Sequence, residues 1–194
     1  MGRPKALLDF GGRSALARIA EAGALGGAEA LVIVVGPHEK EIREAHPAEA
    51  LPPDARWAVN DVPGSEQLAS LQLGLRTLAD LEFDGFFLHP VDYPLVTADD
   101  YRCLTQAAAE SATDAESATD ADVFFLSHNG RRGHPVLCRA QLATPLLALG
   151  PEATARDVLR ACPAAYVTTS NDGVLEDMDT PEDYARLLKR FQAQ

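Results

Sequence analysis

The chain has 194 residues, 46% apolar and 24% charged, with 17 Lys and Arg against 29 Asp and Glu for a net charge of −12. This length suits one domain spanning residues 1–194, on the usual scale of roughly 100–200 residues per domain, and the composition is that of a globular protein rather than a disordered one. A surface this acidic repels phosphate backbones and anionic membranes, which argues against nucleic acid and membrane as partners and favours a bound divalent cation.

The predicted elements alternate along the chain. Residues 14–24 place apolar side chains at helical spacing, and 31–35 (LVIVV) form a continuous β-branched run, the mark of a strand buried on both faces. A charged helix is expected at 39–46 and a short strand at 56–60. Residues 66–81 set Leu68, Leu71, Leu75 and Leu78 on one helical face. Strands follow at 84–91, 122–127, 135–138 and 165–169. Thr97-x-x-Asp100 and Thr180-x-x-Asp183 resemble capping boxes with an acid replacing the usual Glu, and Pro181 occupies the favoured first helical position. Strands alternating with helices indicate a mostly parallel α/β sheet.

One stretch interrupts this alternation. ESATDA at 110–115 is repeated at once at 116–121. Its small, polar and acidic residues have little to bury, so it reads as a duplicated solvated insert or an extension of the preceding helix. Cys103, Cys138 and Cys162 are odd in number, widely spaced and without a CxxC pair. They fit reduced thiols in a cytoplasmic protein rather than a disulfide framework or zinc site. No apolar run approaches the roughly 20 residues of a membrane span, and the N-terminus lacks a secretory pattern.

In an open α/β sheet, ligands bind beyond the carboxyl ends of the strands. Asp92 follows the strand at 84–91, where it either offers a hard oxygen ligand to Mg²⁺ or organises the turn before the Thr97-capped helix. Asp177 and Asp179 point the same way in an extended segment, either as further metal ligands or as negative charge at the start of the last helix. Lys5 precedes an apolar run and a Gly-Gly turn at Gly11 and Gly12. The chain contains no GxSxG elbow and no Walker A motif, against a hydrolase and a P-loop ATPase.

Five blocks in order carry a resemblance to a known family. MGRPKALLDFGG at 1–12 resembles the second half of the signature of MobA-like nucleotidyltransferases, which reads LAAGxSxRMGxPKxLLPxxG. Asn60 through LASLQLGL at 68–75 resembles its N…SLxxGL segment, and HPVDYPLVT at 89–97 its GDxPLVT metal loop. GRRGHPVL at 130–137 resembles GxxGHPVL, and DMDTPEDY at 177–184 resembles DIDTPEDY. The likeness is greatest to the molybdenum cofactor cytidylyltransferase branch and extends over nearly the whole chain.

The resemblance implies a Rossmann-like, three-layer α/β/α fold and a Mg²⁺-dependent transfer. A nucleoside monophosphate passes from a triphosphate, with CTP favoured, to a phosphate-bearing acceptor such as molybdopterin, and pyrophosphate is released. It implies Asp92, Asp179 and Asp177 as metal ligands, and Lys5 against the triphosphate, with Lys5 and Asp92 catalytic. Asn60 and Ser70 would line the nucleotide pocket, and Gly133 and His134 the acceptor pocket. Such a transfer needs positioning and charge neutralisation rather than a protein nucleophile.

The chain departs from the pattern twice. Val91-Asp92 stands where the family has Gly-Asp, with His89-Pro90 upstream, and the Gly-rich half of the signature is lacking. The expectation is therefore a natural start upstream of Met1 that would supply a first strand, mid-sheet in the family's order, and a phosphate-cradling loop. The competing expectation is a non-catalytic binding protein that kept the fold and lost that loop.

Overall fold

The computed structural model describes residues 2–47, 50–53, 55–62, 67–113 and 121–193. A 3-10 turn at Lys5–Leu7 leads through Gly11 and Gly12, at φ 70° and 86°, into helix α1 (Ala15–Leu25). Glycine tolerates that left-handed backbone where a side chain would be strained. Ser14 caps α1, accepting a hydrogen bond from the Ala17 N–H at 3.0 Å, which satisfies one of the first-turn donors left over by helix geometry.

Strand β1 (Leu31–Val35) pairs in parallel with β2 (Ala55–Val59), Leu31 opposite Ala55 and Val35 opposite Val59. Helix α2 (Glu39–Ala45) forms the crossover that a parallel pair requires. Helix α3 (Gln67–Thr77) is shorter than the 66–81 expected, with turns continuing to Leu81 and residue 66 outside the described residues. Then come β3 (Gly85–Leu88), α4 (Ala98–Thr113), β4 (Val123–His128), β5 (Arg131–Arg139), α5 (Ala143–Leu147), α6 (Ala155–Ala161), β6 (Ala164–Thr168) and α7 (Pro181–Phe191).

The second sheet has the order β3-β5-β4-β6. β4 and β6 are parallel, but β5 runs antiparallel to both β3 and β4, so this sheet is mixed. The reason is local. Asn129 and Gly130 form a two-residue turn at φ 50° and 76° between β4 and β5, the left-handed pair that a tight hairpin demands. A connection that short can only return the chain antiparallel, and it extends the expected strand at 135–138 back to Arg131.

The helices form layers on both faces of this sheet. Successive residues of β4 point to opposite sides. Phe124 and Leu126 pack with Ala22 of α1 and with Tyr101 and Leu104 of α4. Val123 and Phe125 join Phe86, Val136 and Cys138 under Leu75 of α3 and Leu146 of α5, with α6 contributing Leu159 at the margin. This is the expected three-layer α/β/α arrangement. α5 and α6 go beyond the expected elements, although Thr154-x-x-Asp157 forms the same capping box as the two predicted ones. α4 runs into the first ESATDA copy as far as Thr113, while residues 114–120 of the repeat lie outside the described residues.

Among the described residues, β1 and β3 each keep one edge without a strand partner. Residues of both strands line one cleft, together with Leu16, Ile19 and Ala20 of α1 and Leu68 and Leu71 of α3. Phe10 is 1% exposed and meets Tyr184 and Phe191 of α7 edge-on, at 5.5 and 6.0 Å. Burying such a ring contributes roughly 1.5–3 kcal/mol. With Leu8, Leu95, Met178 and Leu187 it forms a small core that clamps the N-terminal turn against the segment before α7.

Candidate functional site

That clamp brings together three segments remote in sequence. The Lys5 ammonium donates to Asp179 Oδ1 at 2.5 Å and to Asp92 Oδ2 at 3.4 Å, spanning 174 and 87 residues. Asp92 lies on the loop beyond β3 and Asp179 just before α7. The Met178 N–H donates to the Asp92 carbonyl at 3.0 Å, which ties those two segments at the backbone. Thr180 and Asp183 then close the α7 capping box, so the backbone next to Asp179 is held on its other side too.

The charges balance locally. Burial works against the Lys5 ammonium, but the hydrogen bond to Asp179 and the charges of Asp92 and Asp179 outweigh it and raise its pKa. Asp92 Oδ1 is buried without a hydrogen-bond partner, a costly condition for an anionic oxygen. Asp177 is close enough for its charge to help burial raise the Tyr93 pKa, but the Lys5 bridge joins Asp92 and Asp179 alone. Among the described residues, no group of three or more His, Cys, Asp or Glu is arranged to hold a metal.

Two histidines flank the centre. His89 Nε2 bonds to the Tyr93 carbonyl at 3.0 Å, which requires that nitrogen to carry the proton, so Nδ1 accepts from the Tyr101 hydroxyl. Desolvation pushes its pKa down to about 3, against the pull of the Tyr93 carbonyl, and it stays neutral. It thereby pins the loop carrying Asp92 to α4. His134 packs its ring against Tyr93, 4.4 Å between centroids. Burial lowers its pKa despite a backbone hydrogen bond to Leu88 and the charge of Asp92, and its buried Nδ1 has no partner.

Asn60 and Ser70, 10 residues apart, also meet: Asn60 Nδ2 donates to Ser70 Oγ at 2.9 Å, and the Asn60 N–H donates to the Val35 carbonyl. Gly133 is held by packing, since a Cβ there would come within 2.6 Å of Val174. Ser70, Asp92, Asp177, Asp179, Gly133 and His134 all line one cleft at the open side of the fold. Sequence reasoning missed the role of His89 in locking the loop. Its partners Tyr93 and Tyr101 lie 4 and 12 residues away, with no motif to connect them.

A layered α/β fold that presents a lysine and loop carboxylates beyond the ends of its strands is the framework of a nucleotidyltransferase. The chain belongs to the MobA-like NTP transferase domain family, whose profile matches residues 1–167. Among solved structures it is similar to Rv0371c from Mycobacterium tuberculosis H37Rv, with 20% identity and a TM-score of 0.78 over 97% of this chain and 91% of that one. The manganese complex of Rv0371c gives 21% and 0.74 over 97% and 93%. A nucleotidyl transferase from Methanothermobacter thermautotroptrophicus gives 22% and 0.75 over 97% and 85%. Molybdopterin-guanine dinucleotide biosynthesis protein A from Archaeoglobus fulgidus gives 15% and 0.67 over 100% and 93%. At these identities the likeness is one of fold. No curated protein sequence matches the chain.

Proposed function

We propose that the chain transfers a nucleoside monophosphate, CMP by preference, from its triphosphate to a phosphate-bearing acceptor such as molybdopterin, with Mg²⁺ as cofactor. The observation that carries this reading is the Lys5 ammonium held between Asp92 and Asp179 beside a buried, unpartnered carboxylate oxygen. An oxygen of the acceptor phosphate bonds to the α-phosphorus. The bond from that phosphorus to the α–β bridging oxygen breaks, and its electron pair leaves with pyrophosphate. The acceptor phosphate is already an anion, so no protein base is required, and the work left to the chain is positioning and charge neutralisation.

The residues present fit a divalent cation. Mg²⁺ is commonly held by one or two carboxylates, the remaining positions going to water and substrate phosphates. Asp92 and Asp179 already accept a cation between them in the form of Lys5, and Asp177 is the third candidate ligand. When bound, the ion would neutralise triphosphate charge. Lys5 adds a fixed positive charge towards the phosphates, Asn60 and Ser70 contact the nucleoside, and Gly133 and His134 border the acceptor. The manganese complex of Rv0371c supports use of a divalent metal, and the Archaeoglobus fulgidus protein supports a molybdopterin-type acceptor. Three free thiols suit a cytoplasmic setting.

A thermal-shift panel of the four ribonucleoside triphosphates with Mg²⁺ tests the reading. CTP should give the largest rise in Tm, and the rise should be lost when the metal is chelated. No response to any triphosphate would overturn it.

A further inference from the structure

The sheet surface next to this centre carries a cationic and aromatic cluster that the carboxylate–lysine pair does not use. Strand pairing sets Phe125 opposite Val136 and beside Tyr166, and Ser127 opposite Arg132. Phe125, Arg132 and Tyr166 therefore project from the same face. The Arg132 guanidinium lies 4.9 Å from the Phe125 ring centroid and 5.0 Å from that of Tyr166, and it donates to the Tyr166 hydroxyl. The two rings stack at 6.0 Å with 21° between their planes. Tyr166 is 51% exposed, so the cluster opens to solvent.

Like several other arginines of the chain, Arg132 has no carboxylate partner among the described residues, so no ion pair neutralises its charge; what sets it apart is that two aromatic rings hold it. A guanidinium stacked on aromatic rings has little rotamer freedom left to lose, and its fork matches the oxygens of a phosphate. The cluster also adjoins the centre. Arg132 precedes His134 by two residues, about 7 Å along a strand, and His134 packs on Tyr93, the neighbour of Asp92. Arg132, His134, Asp92 and Asp179 line the same cleft.

We propose that Arg132, held in place by Phe125 and Tyr166, binds an anionic phosphate group of the acceptor and so selects phosphorylated acceptors. This rests on the reading of the chain as a transferase with a phosphate-bearing acceptor. Arg132 lies two residues before His134 in β5, and His134 packs on Tyr93, so the anion site adjoins the residues proposed to border the acceptor.

The test uses the full chain with phenyl phosphate as probe, and phenol and inorganic phosphate for comparison, by titration calorimetry. Wild type should bind phenyl phosphate more tightly than either comparison compound. Arg132→Gln should weaken that binding at least ~10-fold, Arg132→Lys should recover part of it, and Mg-CTP affinity should be unchanged. Tyr166→Ala, a second and milder disruption at an exposed position, should weaken phenyl phosphate several-fold. Equal binding to wild type and Arg132→Gln, no binding to wild type at millimolar concentration, or a loss falling on Mg-CTP would each overturn the proposal. If no triphosphate binds wild type but phenyl phosphate still depends on Arg132, the transferase reading fails and the anion site stands.

Discussion

Replacing Asp92 with alanine separates the work of this residue in the site from its work in the fold. The Lys5–Asp92 contact is 3.4 Å long, and the two side chains are 30% and 24% exposed. A long contact between two partly buried side chains is worth about 1 kcal/mol, and Lys5 keeps its shorter bond to Asp179. The backbone bond from Met178 to the Asp92 carbonyl does not depend on the side chain, and the substitution also removes the unpartnered buried Oδ1. The unfolding free energy should therefore change by no more than about 1 kcal/mol, a Tm shift within about 4 °C for a chain of this size. The effect on the site should be far larger. Losing one of two converging carboxylates should weaken Mn²⁺ binding in the presence of CTP at least ~10-fold, read by electron paramagnetic resonance. Transfer should fall ~100-fold or more, equivalent to about 2.7 kcal/mol of barrier. Unchanged Mn²⁺ affinity, or a Tm more than about 10 °C lower, would refute the reasoning, since Asp92 would then be a structural residue.

Three further outcomes are expected. The His89 pKa is about 3 in the folded chain against 6.5 for the free side chain, so between these values the unfolded chain holds the extra proton. Stability is fully present above pH 6.5 and is lost as pH falls towards 3. His89→Gln should remove up to ~1.4 kcal/mol per pH unit of slope between pH 6.5 and 5 in urea unfolding, and an unaltered slope would exclude His89 as its source. Thr180→Ala removes the hydroxyl that accepts from the Asp183 N–H at 3.1 Å; it should cost about 1 kcal/mol and lower Tm by about 2–4 °C, and no shift in calorimetry would contradict the cap. The unpartnered edges of β1 and β3 should make the chain self-associate at micromolar concentration, whereas a single monomeric species in sedimentation velocity would show them to be protected.

Sequence by itself determined what depends on neighbours along the chain. The apolar run at 31–35 became β1 with the expected bounds, and Thr97 and Thr180 ended where helices begin, because caps and periodicity act within one or two turns. The Asn129-Gly130 turn and the Thr154-x-x-Asp157 box were equally local, and the antiparallel β5 and helix α6 follow from them. Motif blocks in order were enough to point to the family and to single out Lys5, Asp92 and Asp179. Only the tertiary structure decided that one ammonium bridges those two carboxylates, that His89 locks their loop to α4, and that Arg132 rests on Phe125 and Tyr166 without an acid. These contacts join residues up to 174 positions apart. Their geometry comes from how the Phe10 core draws α7 onto the N-terminal turn and from the register of β4, β5 and β6. Local propensity carries no information about such distances, because packing of the whole chain sets them.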